Sequence, residues 1–542
     1  MDETSINRKF PYKDWLIYIS IFLIGLLGSL VIIYSTPWGP WVFSDSTEYI
    51  VSAKNLITGH GLGLYGPSGA FHPLSLHPPF YSLLLSFFGL FGADLLSTAR
   101  WLNAIMFGLT ILVVGVSLYT FTKSSWLSIG SCILLFSMPA LVDIFSGAMS
   151  EPLFIFTGLV GIFLIMTYMK NDRFMLLIAA ALFSSLSLFT RYAGLAFIIT
   201  GIFALLFFNQ KPWKKRFLPV LIYGIISCLP IIGWRIWLNM QSVSSQKIQM
   251  AHNIAEQFSQ FRLGIMEIIW SWLPFTSYLP RYTYNIARNF LLIFILLMLI
   301  LFFLAARRIR MSNQKMVNSS HGLLFAVLMF IFALAYLFVL GISYIFTHPT
   351  PDVNVRTLLP AHLALLLGFF SLLQFFIQAW PSVKWLYLIP ILLLIGISIS
   401  FLHDSIDIIS NYHQSGFGYT SREWRASETI DAIEKLPSNI PIISNESAAV
   451  LFHTNRPAYD ISELIDGKPI SFSRYGDDPA DPVQAAFRNN GAALALFNSK
   501  FWQFNQLYGD QTTKRLEYLT QGLYLYAQLR DGAIYMYSPP RN

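Results

Sequence analysis

Asp45 and Glu48 stand three residues apart near the start of the stretch Phe43–Pro79, just past the first apolar run. On a helix that spacing puts both carboxylates on one face. Two readings fit. Asp45 can be an N-cap with Glu48 reaching back to it, a capping box, or Asp45 can be a general base that accepts a proton from a hydroxyl. A third carboxylate, Glu151, opens another apolar run in Ala148-Met149-Ser150-Glu151-Pro152. The helix dipole favours an acid at such a start. Carboxylates that converge can also hold a divalent metal or divide into acid and base. His72-Pro73 and His77-Pro78-Pro79 close the first stretch. They read as a proline-stiffened loop, and two histidines five apart are a weak metal signal. The cations opposite these acids are Arg100, Arg191, Arg235, Arg281, Arg288 and Arg356, all near the ends of apolar runs. Arginine is costly there without a partner. It either snorkels to headgroups or grips a phosphate with its planar fork. Arg191 is the only charge between Arg173 and Lys211, which makes it the strongest candidate for a lipid phosphate or diphosphate.

The elements that position these residues are membrane helices. The chain has 55% hydrophobic and 12% charged residues, about half the charge of a soluble domain. Apolar runs near twenty residues recur, at 15–34, 98–121, 126–145, 152–169, 174–189, 193–208, 217–238, 287–305, 322–346, 357–379 and 383–402. About eleven spans are therefore expected. With the N-terminus inside, the basic loops at Lys123, Lys170–Arg173, Lys211–Arg216, Arg307–Lys315 and Lys384 all fall on the inner side, as the positive-inside rule requires. The net charge of +8 follows from those loops and does not point to nucleic acid. The same rule makes Phe80–Ala93 an interfacial or re-entrant helix. It also breaks Phe174–Phe208 into a hairpin at Thr190-Arg191-Tyr192.

On the outer side this leaves the loop 35–97, which carries Asp45 and Glu48, and an aromatic segment 239–286. After Asp45 the residues Tyr49, Ile50, Ala53, Leu56 and Ile57 form one apolar helix face, ended by Gly59 and Gly61. Such a helix can lie in the interface. Beyond residue 402 Gly, Pro, Asn and charge return. A helix is expected at Ser427–Leu436, with strands at Ile440–Ser444, Pro457–Ile461, Ala492–Phe497, Leu523–Leu529 and Ala533–Tyr537. The expected fold class is a polytopic α-helical membrane protein of residues 1–402 with an extracytoplasmic α/β domain at 403–542. Cys132 and Cys228 lie inside apolar runs, so no disulfide framework is expected.

Taken in order, Asp45, Tyr49, Ala53-Lys54-Asn55-Leu56, Gly59-His60-Gly61, His77-Pro78-Pro79-Phe80-Tyr81, Ala99-Arg100, Ser150-Glu151-Pro152 and Thr190-Arg191 resemble the GT-C fold of polyprenyl-phosphate-sugar-dependent glycosyltransferases. The nearest branch is the bacterial one of the dolichyl-phosphate-mannose–protein mannosyltransferase superfamily, with the aminoarabinose transferases of lipid A as relatives. The resemblance covers about 35–240 by motif and the later spans by architecture. It implies an inverting transferase at a plasma (inner) membrane, with a polyprenyl-phosphate sugar as donor and a glycan, lipid or protein as acceptor. By position Asp45 matches the family's catalytic aspartate, His77-Pro78-Pro79 its basic-residue–Pro–Pro segment and Glu151 its second-loop acidic residue; with these, Glu48 is expected among the catalytic acids, and Arg191, Arg100 and Arg356, at the outer ends of spans, are expected with His77 at the donor phosphate. Many members carry Glu directly after the aspartate, where this chain has Ser46 and the nearest carboxylate is Glu48; this weakens the transfer of a two-carboxylate mechanism and of metal dependence, and a divalent metal stays open.

The chemistry fits those residues. A sugar hydroxyl is a weak nucleophile and needs a carboxylate to take its proton. A lipid-phosphate leaving group needs cations or hydrogen-bond donors at its oxygens. A lipid or sugar transporter would more often hold charges near the bilayer midplane with pseudo-repeats. A ligase or polymerase using a diphosphate-linked glycan is the other alternative; the Trp-Trp-Asp-Tyr-Gly run of oligosaccharyltransferases is absent from the sequence.

Overall fold

The structure is a computed structural model. It describes residues 12–67, 69–241, 254–273, 284–311, 317–346, 351–378, 384–461, 492–500, 509, 512–513, 520 and 523–537. Arg281 and Lys315, named above, lie outside them.

Eight helices among the described residues are long and apolar enough to cross a membrane: Asp14–Ser35, Leu95–Thr122, Glu151–Asn171, Trp213–Met240, Asn285–Leu304, His321–Phe346, Val355–Gln378 and Leu388–Ser415. The chain is a multi-pass membrane protein. Three of the eleven expected spans take another form. The run at 126–145 is two helices, Ser125–Ser137 and Pro139–Phe145, bent by 61°. Pro139 supplies no N–H and holds Met138 in extended backbone at φ −75°, ψ 113°, so the first helix must stop there. The runs at 174–189 and 193–208 are Phe174–Thr190 and Tyr192–Phe208, helices too short to count with the eight. The break between them falls at Arg191, which is extended at φ −146°, ψ 139°. Gly194 lets the turn close, since a Cβ there would stand 2.4 Å from the Leu188 backbone nitrogen. Gly25 and Gly108 do the same for the first crossing, where a Cβ on Gly25 would meet the Gly108 carbonyl oxygen at 2.8 Å. Small residues at such a crossing let helix backbones pack without hydrophobic driving force.

The chain folds into two compact units that do not follow its order. The helical unit takes 1–36, 75–81 and 100–413; the mixed unit takes 37–74, 82–99 and 414–542. Most of the first outer loop thus belongs with the C-terminal residues. Within the mixed unit Tyr419 donates its N–H to the Val42 carbonyl at 2.9 Å. The Thr420 hydroxyl donates to Pro40 O at 2.9 Å, and Arg425 Nη2 to Trp38 O at 2.6 Å. The helix Ser44–Ile57 buries Tyr49, Ile50 and Ala53 and packs on the helix Ser447–Thr454. A short hairpin follows it, β1 (Gly63–Tyr65) antiparallel to β2 (Phe71–Pro73).

The remaining strands form one sheet: β3 (Ile442–Ser444), β4 (Ala458–Asp460), β5 (Ala493–Phe497), β6 (Leu523–Gln528) and β7 (Gly532–Tyr537), in the order β4-β3-β5-β7-β6. The pairs β3–β4 and β3–β5 are parallel; β5–β7 and β6–β7 are antiparallel. Ile430, Ile433, Ile442, Val450, Phe497 and Ile534 make its core. Asp531, in the tight turn before β7, caps the helix Glu428–Lys435 by accepting the Thr429 N–H at 3.1 Å and its hydroxyl at 2.8 Å. Arg456 donates to the carbonyls of Ile433, Leu436, Pro437 and Ile440 at 2.8–3.0 Å. These carbonyls end that helix and lead into β3, so one guanidinium holds the whole connection.

Candidate functional site

The helical unit gathers three of the residues singled out above. Glu151 begins its helix with Pro152 behind it. Proline suits a first helical turn, where its missing N–H is not needed. Glu151 is 2% exposed. Its Oε1 lies 3.0 Å from Arg191 Nη1 and 3.2 Å from Arg356 Nε. Arg191 is carried by the extended break between two short helices, which points it back across the bundle, and its Nη1 also donates to Ser150 Oγ at 3.1 Å. Arg356 sits in the first turn of Val355–Gln378. That turn is fixed by Asn354, whose side chain accepts the Thr357 N–H at 2.9 Å, and by Tyr336, whose hydroxyl donates to Thr357 O at 2.6 Å. Two guanidiniums thus face one buried carboxylate. A lone buried charge would be prohibitive, and pairing is the condition for holding arginine at this depth.

The other two candidate donor-phosphate ligands in this unit are placed differently. Arg100 Nη2 donates to Ile33 O at 2.7 Å, and its Nε to Thr36 Oγ1 at 3.1 Å. It caps the end of the first span, satisfying a carbonyl that a helix C-terminus leaves open. His77 is half-buried ahead of the buried Pro78 and Pro79. Its segment is tied down where Tyr192 donates to Ser75 O at 3.4 Å. Arg235 stacks on the Tyr192 ring at 4.6 Å.

Asp45 and Glu48 belong to the mixed unit. The helix there starts at Ser44, its N-cap is Phe43, and no side chain caps it. The capping-box reading is therefore corrected: Asp45 lies inside the first turn rather than before it. The helix dipole still favours its ionised form there. Both carboxylates are half-buried. Glu48 opens into a cavity of about 550 Å3 lined also by Phe43, Tyr65, Phe417, Tyr419, Trp424, Glu446, Asp460 and Ser499. The Tyr419 hydroxyl donates to Glu446 Oε2 at 3.0 Å, and Ser499 Oγ to Glu446 Oε1 at 3.3 Å. Burial and the neighbouring Glu446 charge push the Tyr419 hydroxyl well above its ordinary pKa of 10.0, so it stays a donor. Among the described residues no three His, Cys, Asp or Glu side chains converge as a metal site. A metal held by His72, His77 and the carboxylates is not assembled.

Sequence reasoning passed over Glu446, Asp460 and Ser499. A signal for them was available: Glu446 and Ser499 follow expected strands and Asp460 lies next to the end of one, and parallel strands present ligand sites at their carboxyl ends.

No protein-family profile matches the chain, and no characterised protein matches it in sequence. Solved structures do. ArnT from Cupriavidus metallidurans bound to undecaprenyl phosphate is 11% identical, with a TM-score of 0.52 over 98% of this chain and 100% of that one. The apo form of that protein is 10% identical, with a TM-score of 0.54 over 97% and 99%. The archaeal oligosaccharyltransferase AglB from Archaeoglobus fulgidus, in complex with an inhibitory peptide and a dolichol-phosphate, is 12% identical, with a TM-score of 0.52 over 97% of this chain and 75% of that one. At such identities the likeness is one of fold. The fold is the GT-C fold that the sequence resemblance implies.

Proposed function

We propose that this protein transfers a sugar from a polyprenyl-phosphate carrier to an acceptor hydroxyl at the outer face of the membrane, with inversion at the anomeric carbon. The observation that carries the reading is the Glu151–Arg191–Arg356 group, two guanidiniums on one buried carboxylate. Paired guanidiniums suit a phosphate that gains charge as it leaves, because their forks donate to its oxygens. Two of the proteins that share the fold hold undecaprenyl phosphate and dolichol-phosphate.

In the proposed step the acceptor oxygen attacks the anomeric carbon, the bond to the lipid phosphate breaks, and Asp45 takes the hydroxyl proton. Glu48, one turn on, orients the acceptor. Glu151 acts through the arginines and not as a second base. Arg100 and His77 complete the donor side as positioning residues. The N-terminus and Lys211–Arg216 face the cytoplasm and the C-terminal residues face outward. A cysteine in place of the exposed Asp431 is then labelled from outside intact cells, whereas one at Lys214 is not; labelling at Lys214 would reverse the orientation.

The test of the reaction is purified protein in vesicles with labelled polyprenyl-phosphate sugar. Transfer or slow hydrolysis is expected. Arg191→Ala should weaken donor use about 10–100-fold, the worth of one charge-assisted bond, and Arg191→Lys should rescue little because it lacks the fork. Uptake of donor into vesicles without cleavage would favour a transporter and defeat the proposal.

A further inference from the structure

Resting on the transferase reading, we infer that Asn103 is a positioning residue of the donor-phosphate site: its amide fixes the turn that presents Ser150 and Glu151 to Arg191 and Arg356.

The turn is short and dry. The helix Pro139–Phe145 ends at Ser146, and the next helix starts at Glu151. The residues between lie outside both helices, yet Ser146, Ala148, Met149 and Ser150 are all 0% exposed. Buried backbone carbonyls require donors. Within the turn the Met149 N–H goes to Gly147 O at 2.9 Å. From outside it, Asn103 of the helix Leu95–Thr122, also 0% exposed, donates through Nδ2 to Gly147 O at 2.5 Å and to Met149 O at 3.2 Å. A carboxamide carries two N–H groups on one nitrogen, so a single side chain bridges the carbonyls on either side of Ala148. Serine, threonine and aspartate, the other small polar residues, offer one donor or none. Asn103 Oδ1 has no partner among the described residues, so the donor end is the one this contact uses.

The contact reaches the ion pairs within the next residues of the chain. Ser150 follows Met149, and its Oγ accepts from Arg191 Nη1 at 3.1 Å. Glu151 follows Ser150 and lies 3.0 Å from Arg191 and 3.2 Å from Arg356. A shift of the Met149 carbonyl therefore moves both groups that hold Arg191. A misplacement of roughly 1 Å in such a group can cost on the order of 10²-fold in rate.

The same helix anchors the turn to the first span. Arg100, one turn before Asn103 on the same face, donates to Ile33 O and Thr36 Oγ1. Ser35 Oγ and Ser146 Oγ lie 3.0 Å apart. Arg100 and Asn103 thus join the end of the first span to the turn before Glu151. An asparagine inside an apolar run is costly, and this pair of carbonyls accounts for it.

The experiment measures polyprenyl-phosphate binding to the full chain in nanodiscs, without acceptor, together with the thermal midpoint. Asn103→Leu nearly keeps the volume and removes both donors. At a temperature where the variant is folded, it should weaken binding about tenfold, the size of one lost hydrogen bond. Asn103→Gln, with both N–H groups on a longer arm, should recover part of that loss. In the Arg191→Ala background Asn103→Leu should weaken binding little further, because it acts through that arginine. With a sugar-bearing donor, Asn103→Leu should raise KM more than it lowers kcat. Wild-type affinity and KM in folded Asn103→Leu, or a loss that adds in full to that of Arg191→Ala, would overturn the inference and leave Asn103 a structural tie. Should Asn103→Leu not fold, Asn103→Ser, which keeps one donor, takes its place. A wild-type chain that binds no polyprenyl phosphate would defeat the transferase reading instead. The positioning role is then decided by the stability cycle of Asn103→Leu with Glu151→Gln, where coupling is expected and full additivity overturns it.

Discussion

The helical unit and the mixed unit both bury carboxylates, and they use them in opposite ways. Glu151 is 2% exposed and meets two arginines, so its partners there are cations. Glu446 is 6% exposed and accepts from the hydroxyls of Tyr419 and Ser499. One geometry neutralises its acid with cations. The other engages its acid through hydroxyl donors. The comparison shows that burial alone says nothing of a carboxylate's role: the partner decides it.

The comparison breaks first at Asp45. Asp45→Asn keeps the size of the side chain but cannot accept a proton as a carboxylate does. If Asp45 is the base, transfer falls about 10²–10⁴-fold while donor binding holds. Near-normal turnover in a folded Asp45→Asn protein would remove the base from the mixed unit. Ser46→Ala should remain active, because the adjacent-carboxylate position of related enzymes is a buried serine here.

Next in size is Glu151→Gln, which leaves two guanidiniums facing each other. Loss of one partner of a buried pair costs about 3–5 kcal/mol, seen as a large drop in the thermal midpoint. Added pyrophosphate should recover part of that drop by binding the native state. An unchanged midpoint would mean that the carboxylate does not hold the arginines.

The smallest effect sharpens the mixed unit. His453 stacks near Trp424, with ring centroids 6.1 Å apart. Burial, with Arg425 adding to it, pushes its pKa below the ordinary 6.5. The unfolded chain then binds the proton first, so stability is complete above about pH 6.5 and falls as pH drops through the depressed native value. His453→Gln should flatten that slope; an equal slope in the variant would assign it to another group.

The sequence by itself determined the membrane class, most spans, the break at Arg191, the strands after residue 402 and the candidate acids and arginines. Each of these rests on a local signal. Twenty apolar residues have one stable state in a bilayer, a lone arginine in an apolar run must mark a turn or a partner, and alternation with Gly and Asp marks a hairpin. The bend at Met138-Pro139 was equally local, and proline announced it, but the apolar run concealed it. Tertiary structure decided the rest. The joining of Glu151 to Arg191 and Arg356 depends on three helix ends far apart in the chain, and no spacing records it. The membership of Pro37–Leu74 with the C-terminal residues depends on backbone bonds such as Tyr419 to Val42, which any sequence can make. The cavity beside Glu48 exists only because three strand ends meet there. Side-chain type fixes what each group can do, whereas its neighbours, brought from distant stretches by packing, fix which of those things it does.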